Sequence, residues 1–399
     1  MTHENTRQVK VGNVLIGGGA PVAIQSMSTF NPVNTEYAAA QINALHEAGA
    51  DIVRVAVPDK KAAEALKALR EKVSVPLVAD IHFDYRLAIT AMESGIDALR
   101  INPGNIGKME NVIKVVDMAK KVHIPIRVGI NAGSLPEKIL DEFGGHPTAE
   151  GMVEGALTHV RILEQEGFRD IVISVKSSDV PMMVKANRIL ADKVEYPLHL
   201  GVTEAGTLYR GTVKSAIGIG SLLLDGIGDT VRVSLTDDPL KEVRAAKEIL
   251  SSVGIQQYGP VLISCPTCGR TQVNLIDMAK EVEEKLQTIY DKIGLTSIKY
   301  IFKEDGTYSY ILKRRTVSGT YVFDEEAKTV IMKSKLGIQT VAYVTVTGNS
   351  MSLVFNADKL MSILKVITGA ASKVNSTAAT LNSVAEAYDG LMLGFELKK

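Results

Sequence analysis

The chain has 399 residues, 45 Lys+Arg against 45 Asp+Glu, and a hydrophobic fraction of 46%. That length fits one large α/β domain plus a smaller one, and the apolar content excludes global disorder. Zero net charge argues against nucleic acid as the main partner, and the polar N-terminus, with no apolar run of about 18 residues, predicts a soluble cytoplasmic chain with no membrane partner.

Taken in chain order, short β-branched runs recur at 22–28, 52–58, 76–82, 98–103, 125–131, 170–177, 197–205 and 229–235. Between them, apolar residues at helical spacing fill 37–48, 60–72, 109–122, 149–166, 180–192 and 240–253. Eight strands alternating with helices over about 250 residues match a (β/α)8 TIM barrel in count and length. An open doubly wound sheet is the rival. It needs a glycine-rich phosphate fingerprint after the first strand, and Ser28-Thr29-Phe30-Asn31 stands there instead.

The character then changes. All 7 His lie at or before His199, and from Tyr290 onward 14 Lys+Arg face 10 Asp+Glu. Alternating segments at 299–303, 308–314, 320–323, 329–334, 340–347 and 350–355 predict an antiparallel meander. Its turns fall at Glu304-Asp305-Gly306-Thr307 and Gly348-Asn349; a helical pattern over 357–388 and a closing strand at 391–397 follow. The expected organisation is a barrel over 1–256, a segment carrying a CxxC motif over 257–289, and a small lipocalin-like antiparallel β domain over 290–399.

Catalysis in a (β/α)8 barrel sits at the C-terminal strand ends. Those ends carry Arg54, Asp80 and His82, Arg100 and Asn102, Arg127 and Asn131, Lys176, then His199, Thr203 and Glu204, and finally Arg232 and Ser234. A lone strand Arg is usually an edge charge or half of an internal ion pair, and a lone His is more often structural than a ligand. The set says more, because a buried ion without a partner costs several kcal/mol. Asp80 and Glu204 cannot neutralise Arg54, Arg100, Arg127, Lys176 and Arg232 together. An anionic ligand can, and guanidinium forks suit phosphate oxygens, so a phosphorylated or diphosphate substrate is expected.

Cys265 and Cys268 are the only two cysteines and form Ser264-Cys265-Pro266-Thr267-Cys268-Gly269-Arg270. A CxxC pair can share a metal or cluster, form a redox disulfide, or supply half of a zinc site. No thioredoxin-type βαβ pattern surrounds it, and no Cys follows Cys268.

Seven segments carry a resemblance. They are Arg7-Gln8-Val9-Lys10-Val11-Gly12, Gln25-Ser26-Met27, Val53-Arg54-Val55-Ala56-Val57-Pro58, Ala79-Asp80-Ile81-His82-Phe83, Leu99-Arg100-Ile101-Asn102-Pro103-Gly104-Asn105, His199-Leu200-Gly201-Val202-Thr203-Glu204-Ala205-Gly206 and the CxxC segment. Residues 7–286 thereby resemble 4-hydroxy-3-methylbut-2-en-1-yl diphosphate synthases. That family is built on a TIM barrel. It reductively opens 2-C-methyl-D-erythritol 2,4-cyclodiphosphate in isoprenoid biosynthesis, using a [4Fe–4S] cluster and electrons from flavodoxin or ferredoxin. The resemblance implies that the five cations and His199 hold the cyclic diphosphate, with hydrogen bonds from Asn102, Asn131 and Ser234. It makes Glu204 the proton donor or base, gives Asp80 and His82 orienting or proton-shuttling roles, and makes Cys265 and Cys268 cluster ligands. It also implies a homodimer in which the cluster domain of one chain caps the barrel of the other. After Leu286 the family's third Cys and Glu ligand have no counterpart, so the reductive step is expected to be impaired. From about Glu281 the chain resembles bacterial lipocalin-like domains of unknown function, down to Gly390-Leu391-Met392-Leu393-Gly394-Phe395-Glu396-Leu397, as a chimera joined near Glu281–Leu286. The alternative function is a non-catalytic phosphate-binding barrel fused to a β recognition domain; a third is a cluster-free lyase or isomerase using Glu204 and Asp80.

Overall fold

The computed structural model describes residues 5–102, 106–259, 264, 266–293, 299–303, 305–312, 315–335, 337, 339–347, 350–356 and 392–398. The chain divides into two units, Met1–Gln256 and Gln257–Lys399.

In the first unit a hairpin of β1 (Val9–Val11) and β2 (Val14–Ile16) precedes eight parallel strands. These are β3 (Ala23–Met27), β4 (Ile52–Ala56), β5 (Leu77–Asp80), β6 (Ala98–Ile101), β7 (Ile126–Asn131), β8 (Ile171–Lys176), β9 (His199–Leu200) and β10 (Thr230–Val231). Their order in the sheet is β8-β7-β6-β5-β4-β3-β10-β9, and a parallel bridge from Ile173 to Leu198 joins its two ends. The sheet therefore closes into the expected (β/α)8 barrel, and strand neighbours follow chain order.

The intervening helices are α1 (Thr35–Glu47), α2 (Lys60–Arg70), α3 (Tyr85–Glu93), α4 (Met109–Val122), α5 (Glu137–Glu142), α6 (Ala149–Gln165), α7 (Val180–Ala191), α8 (Leu208–Leu224) and α9 (Pro239–Ser252). Aspartates start several of them. Asp59 accepts from Ala62 N at 2.9 Å and Asp179 from Met182 N at 2.8 Å, which satisfies amides that have no partner within the helix. Helix α8 carries no strong sequence signal because glycines interrupt it. Packing forms it instead: Gly211, Gly218, Ile219, Leu222 and Leu223 are all buried.

Two strands are shorter than their sequence runs. The runs at 197–205 and 229–235 leave the sheet at Leu200 and Val231. After Leu200 the backbone turns left-handed at Glu204 (φ 51°) and Gly206 (φ 107°), which no strand accommodates. Thr203, Glu204, Arg232 and Ser234 consequently stand in loops beyond the strands rather than in them.

The floor of the barrel is closed by the hairpin, whose Val11 and Ile16 pack on Ala23, Ile52, Val78 and Ala98. Aspartates set one residue before alternate strands fasten it. Asp51 Oδ2 accepts from Ile24 N (2.7 Å), Asp97 Oδ2 from Leu77 N (2.8 Å) and Asp229 Oδ2 from Leu198 N (2.8 Å). Each carboxylate thus binds an amide on the preceding strand or just before it, locking neighbouring strands in register.

The second unit contains α10 (Leu275–Ile293) and a seven-stranded antiparallel meander. Its strands are β11 (Lys299–Phe302), β12 (Thr307–Leu312), β13 (Arg315–Asp324), β14 (Thr329–Ser334), β15 (Gln339–Thr347), β16 (Ser350–Asn356) and β17 (Met392–Lys398), each paired with the next. One face buries Tyr308, Val330, Met332, Ala342, Val344 and Leu353, with Phe302, Tyr310 and Tyr321 packed against them. The expected turn forms at Gly306 (φ 76°), where Asp305 Oδ1 accepts from Thr307 N at 2.9 Å. Strand β13 begins well before the expected 320–323, since Thr316–Gly319 also pair with β12. The helical pattern over 357–388 and the Gly348-Asn349 turn lie outside the described residues.

His159 is buried on α6, and its Nδ1 has no hydrogen-bond partner among the described residues. Burial pushes its imidazole down to about 4. The folded state therefore resists a proton that the unfolded chain accepts near its ordinary value of 6.5. Stability from this group is full above that value, falls as pH drops towards about 4, and then levels. Denaturation midpoints measured across this window should fall less steeply for His159→Leu than for the parent.

Candidate anion site at the barrel mouth

Register brings three of the expected residues side by side: Asp80 on β5 pairs with Arg100 on β6, which pairs with Arg127 on β7. Met27 on β3 pairs with Arg54 on β4. All of these side chains turn into the barrel. Asp80, Arg100, Arg127, Lys176 and His199 are buried, and the side chains of Arg54 and Arg232 keep only 14% and 15% exposure.

Asp80 is the hub. Its Oδ1 accepts from Arg100 Nη1 at 3.1 Å, and its Oδ2 lies 3.6 Å from Arg54 Nε and 3.4 Å from His82 Nε2. Burial alone would raise its carboxyl, yet Arg54, His82 and Arg100 hold it well below the usual carboxylate range. Arg54 also points Nη2 at Met27 Sδ (3.0 Å). Burial pushes the Arg54 guanidinium down to about 9 against the pull of Asp80.

A second knot surrounds His199. Its Nε2 lies 3.2 Å from Lys176 Nζ, and its Nδ1 lies 2.6 Å from Thr230 Oγ1. Arg127 Nη1 also lies 3.5 Å from Nδ1, so a basic side chain faces each ring nitrogen and the Thr230 hydroxyl sits beside the second. Burial, and after it Lys176 and Arg127, push His199 well below its ordinary value, consistent with a neutral ring. Arg127 Nη1 donates to Gln25 Oε1, while Arg127 Nη2 is buried without a partner among the described residues. Lys176 and Arg127 are both pushed down, by burial first and by neighbouring cations next.

Two glycines make the room. A Cβ on Gly129 would meet Arg100 Nε at 2.6 Å, and one on Gly201 would meet Lys176 Nζ at 2.6 Å. Arg232 completes the ring from the loop after β10, with Nη2 3.9 Å from Glu242 Oε2. The five cations thus lie near enough to repel one another, and with only the carboxylates of Asp80 and Glu242 facing them the strand ends carry a cationic excess.

The other expected residues stand at the rim. Asn102 is buried just past β6, Asn131 is half-buried at the end of β7, Ser234 is half-buried after β10, and Glu204 is exposed after β9. The left-handed backbone of Glu204 costs on the order of 1 kcal/mol, a strain often found at functional loops. Sequence reasoning passed over Thr230, Gln25 as a partner of Arg127, and Glu242. Gln25 lies in the Gln25-Ser26-Met27 segment, so it was within reach. Glu242 sits in a helix pattern where an exposed acid is the ordinary expectation.

Cys265 lies outside the described residues. Cys268 belongs to the second unit and is exposed, and hydrogen bonding from Arg270, with Thr271 after it, holds its thiol below the ordinary value. Among the described residues no group of three or more His, Cys, Asp or Glu side chains could hold a metal ion, and no helix is long and apolar enough to cross a membrane.

Residues 6–247 match the model of the GcpE TIM-barrel domain. The chain belongs to the GcpE TIM-barrel family. It is 56% identical over 291 residues to the 4-hydroxy-3-methylbut-2-en-1-yl diphosphate synthase (flavodoxin) of Fusobacterium nucleatum, spanning 73% of this chain and 82% of that one. It is also 56% identical over 288 residues to the enzyme of the same name from Clostridium perfringens, spanning 72% and 82%. Residues 272–399 match the model of a Lipocalin-like domain (DUF4923), so a family member's barrel is joined here to a second, separate domain.

Gly129→Ala tests the packing. The added methyl should push Arg100 off Asp80, cost about 1–3 kcal/mol of stability, and weaken anion binding. Calorimetric titration with the cyclic diphosphate, beside a denaturation curve, measures both.

Proposed function

We propose that the barrel of this chain binds 2-C-methyl-D-erythritol 2,4-cyclodiphosphate, the substrate its family converts to 4-hydroxy-3-methylbut-2-enyl diphosphate. The observation that carries the reading is the clustering of Arg54, Arg100, Arg127, Lys176 and Arg232, mostly buried, with Asp80 and Glu242 as counter-charges. The guanidiniums and the ammonium receive the diphosphate oxygens. Asp80 fixes Arg54, Arg100 and His82 in place. Held ionised by its neighbours, it orients and does not carry a proton. Glu204 on the rim supplies or takes the proton at the departing hydroxyl, and Asn102, Asn131 and Ser234 complete the hydrogen bonds around the substrate.

Opening the ring with loss of water consumes two electrons, which in this family a [4Fe–4S] cluster passes on from flavodoxin or ferredoxin. Such a cluster takes four protein ligands, commonly thiolates. This chain has two cysteines, Cys265 and Cys268, and no His beyond His199. Hard carboxylates suit a soft iron–sulfide centre poorly. The donor set therefore does not fit a complete cluster, and the reductive step does not follow from this chain's own residues. Substrate binding without reductive turnover is the function the residues support.

Two measurements test this. Arg100→Ala should weaken binding of the cyclic diphosphate by about 2–4 kcal/mol, the loss of a buried charge-assisted contact, as read by calorimetry. Unchanged affinity would remove the anion-site reading. Separately, anaerobically purified protein should carry well under a full complement of iron and sulfide. With flavodoxin and a reductant it should form no linear diphosphate. Turnover in the absence of any other synthase would show that its cluster shell is complete.

A further inference from the structure

We infer that Glu242 is the positioning residue for Arg232, aiming its guanidinium at the anion; this rests on the anion-site reading above. Arg232 is the one cation of the ring that no strand holds. Strand β10 ends at Val231, and beyond it the hydrogen bond from Arg232 N to Leu200 O (2.9 Å) is the last that continues the ladder. A long side chain on such a loop loses its direction unless another group fixes it.

Glu242 supplies that group. It lies in the first turn of α9, behind the N-cap Asp238, and its side chain is 7% exposed. Its two oxygens act on two points of one loop. Oε1 accepts from Leu235 N at 2.8 Å, next to Ser234, and Oε2 lies 3.9 Å from Arg232 Nη2. A surface acid in a first helical turn needs only the favourable helix dipole, whereas this one is buried and directed at a cation.

The pair is held open rather than closed. Glu242 Oε2 is buried with no hydrogen bond, and Arg232 Nε is buried with no partner among the described residues. A bidentate fork would have used those donors internally. At 3.9 Å the carboxylate restrains the guanidinium through charge and leaves its N–H groups for a ligand. The same carboxylate anchors the Leu235 amide, so the guanidinium and Ser234 move together or not at all.

Glu242→Gln keeps the shape and the acceptor for Leu235 N but removes the charge. Affinity for the cyclic diphosphate is measured by calorimetry in the parent, Glu242→Gln, Arg232→Met and the double variant. Glu242→Gln should weaken binding by about tenfold, and that loss should vanish in the Arg232→Met background, because the effect passes through Arg232. Parent-like affinity in Glu242→Gln, or an equal loss on both backgrounds, overturns the inference. Arg232→Met binding as tightly as the parent would instead remove Arg232 from the anion site, a separate failure of the underlying reading. If Glu242→Gln does not fold, Glu242→Asp serves as the second variant, since it keeps the charge but withdraws it by one methylene. A loss that disappears with Arg232→Met supports the assignment, and one that persists there overturns it.

Discussion

The strand ends of this barrel concentrate positive charge. Arg54, Arg100, Arg127, Lys176 and Arg232 are drawn out of water around Asp80 and Glu242. Desolvating ions of one sign is tolerable only if each finds a counter-charge or a dipole. The arrangement answers this in stages. Asp80 bridges Arg54 and Arg100, Gln25 takes Arg127, and a neutral His199 takes Lys176. What remains is an excess of positive charge at the strand ends, and the rest of the barrel keeps the cations from relaxing away from one another.

That service is visible far from the site. The hairpin plug and the aspartates at 51, 97 and 229 fix neighbouring strands in register at the floor. Register at the floor is register at the mouth, because a slip of one residue would send every inward side chain outward. Asp80, Arg100 and Arg127 depend on this directly, being matched across three adjacent strands. Gly129 and Gly201 then convert register into space, each giving up a Cβ to a cationic head group.

The two halves of the chain make different demands. The barrel matches its family's model over residues 6–247, and the chain spans most of the length of the relatives it matches. Electron delivery is the part that depends on a further ligand set, and the Lipocalin-like domain that follows offers no third thiol.

Much of this was legible in the sequence. Alternation and helical spacing mark eight strands between helices, and the polar residues at the strand ends name the cations, because a charge in a buried strand is rare without a purpose. The meander was legible for the same reason, since its strands alternate and its first turn carries Asp305-Gly306. Tertiary structure alone decided who pairs with whom. That Asp80 is the hub of three basic side chains follows from Arg54, Arg100 and His82 being within 3.6 Å of it, which no linear spacing states. That Glu242 faces inward follows from how α9 packs, and the ends of β9 and β10 follow from the left-handed turn at Glu204 and from the lack of ladder partners beyond Arg232. Sequence fixes which side chains are available and with what period. Distances between residues far apart in the chain are set only when the barrel closes, and electrostatics depends on those distances.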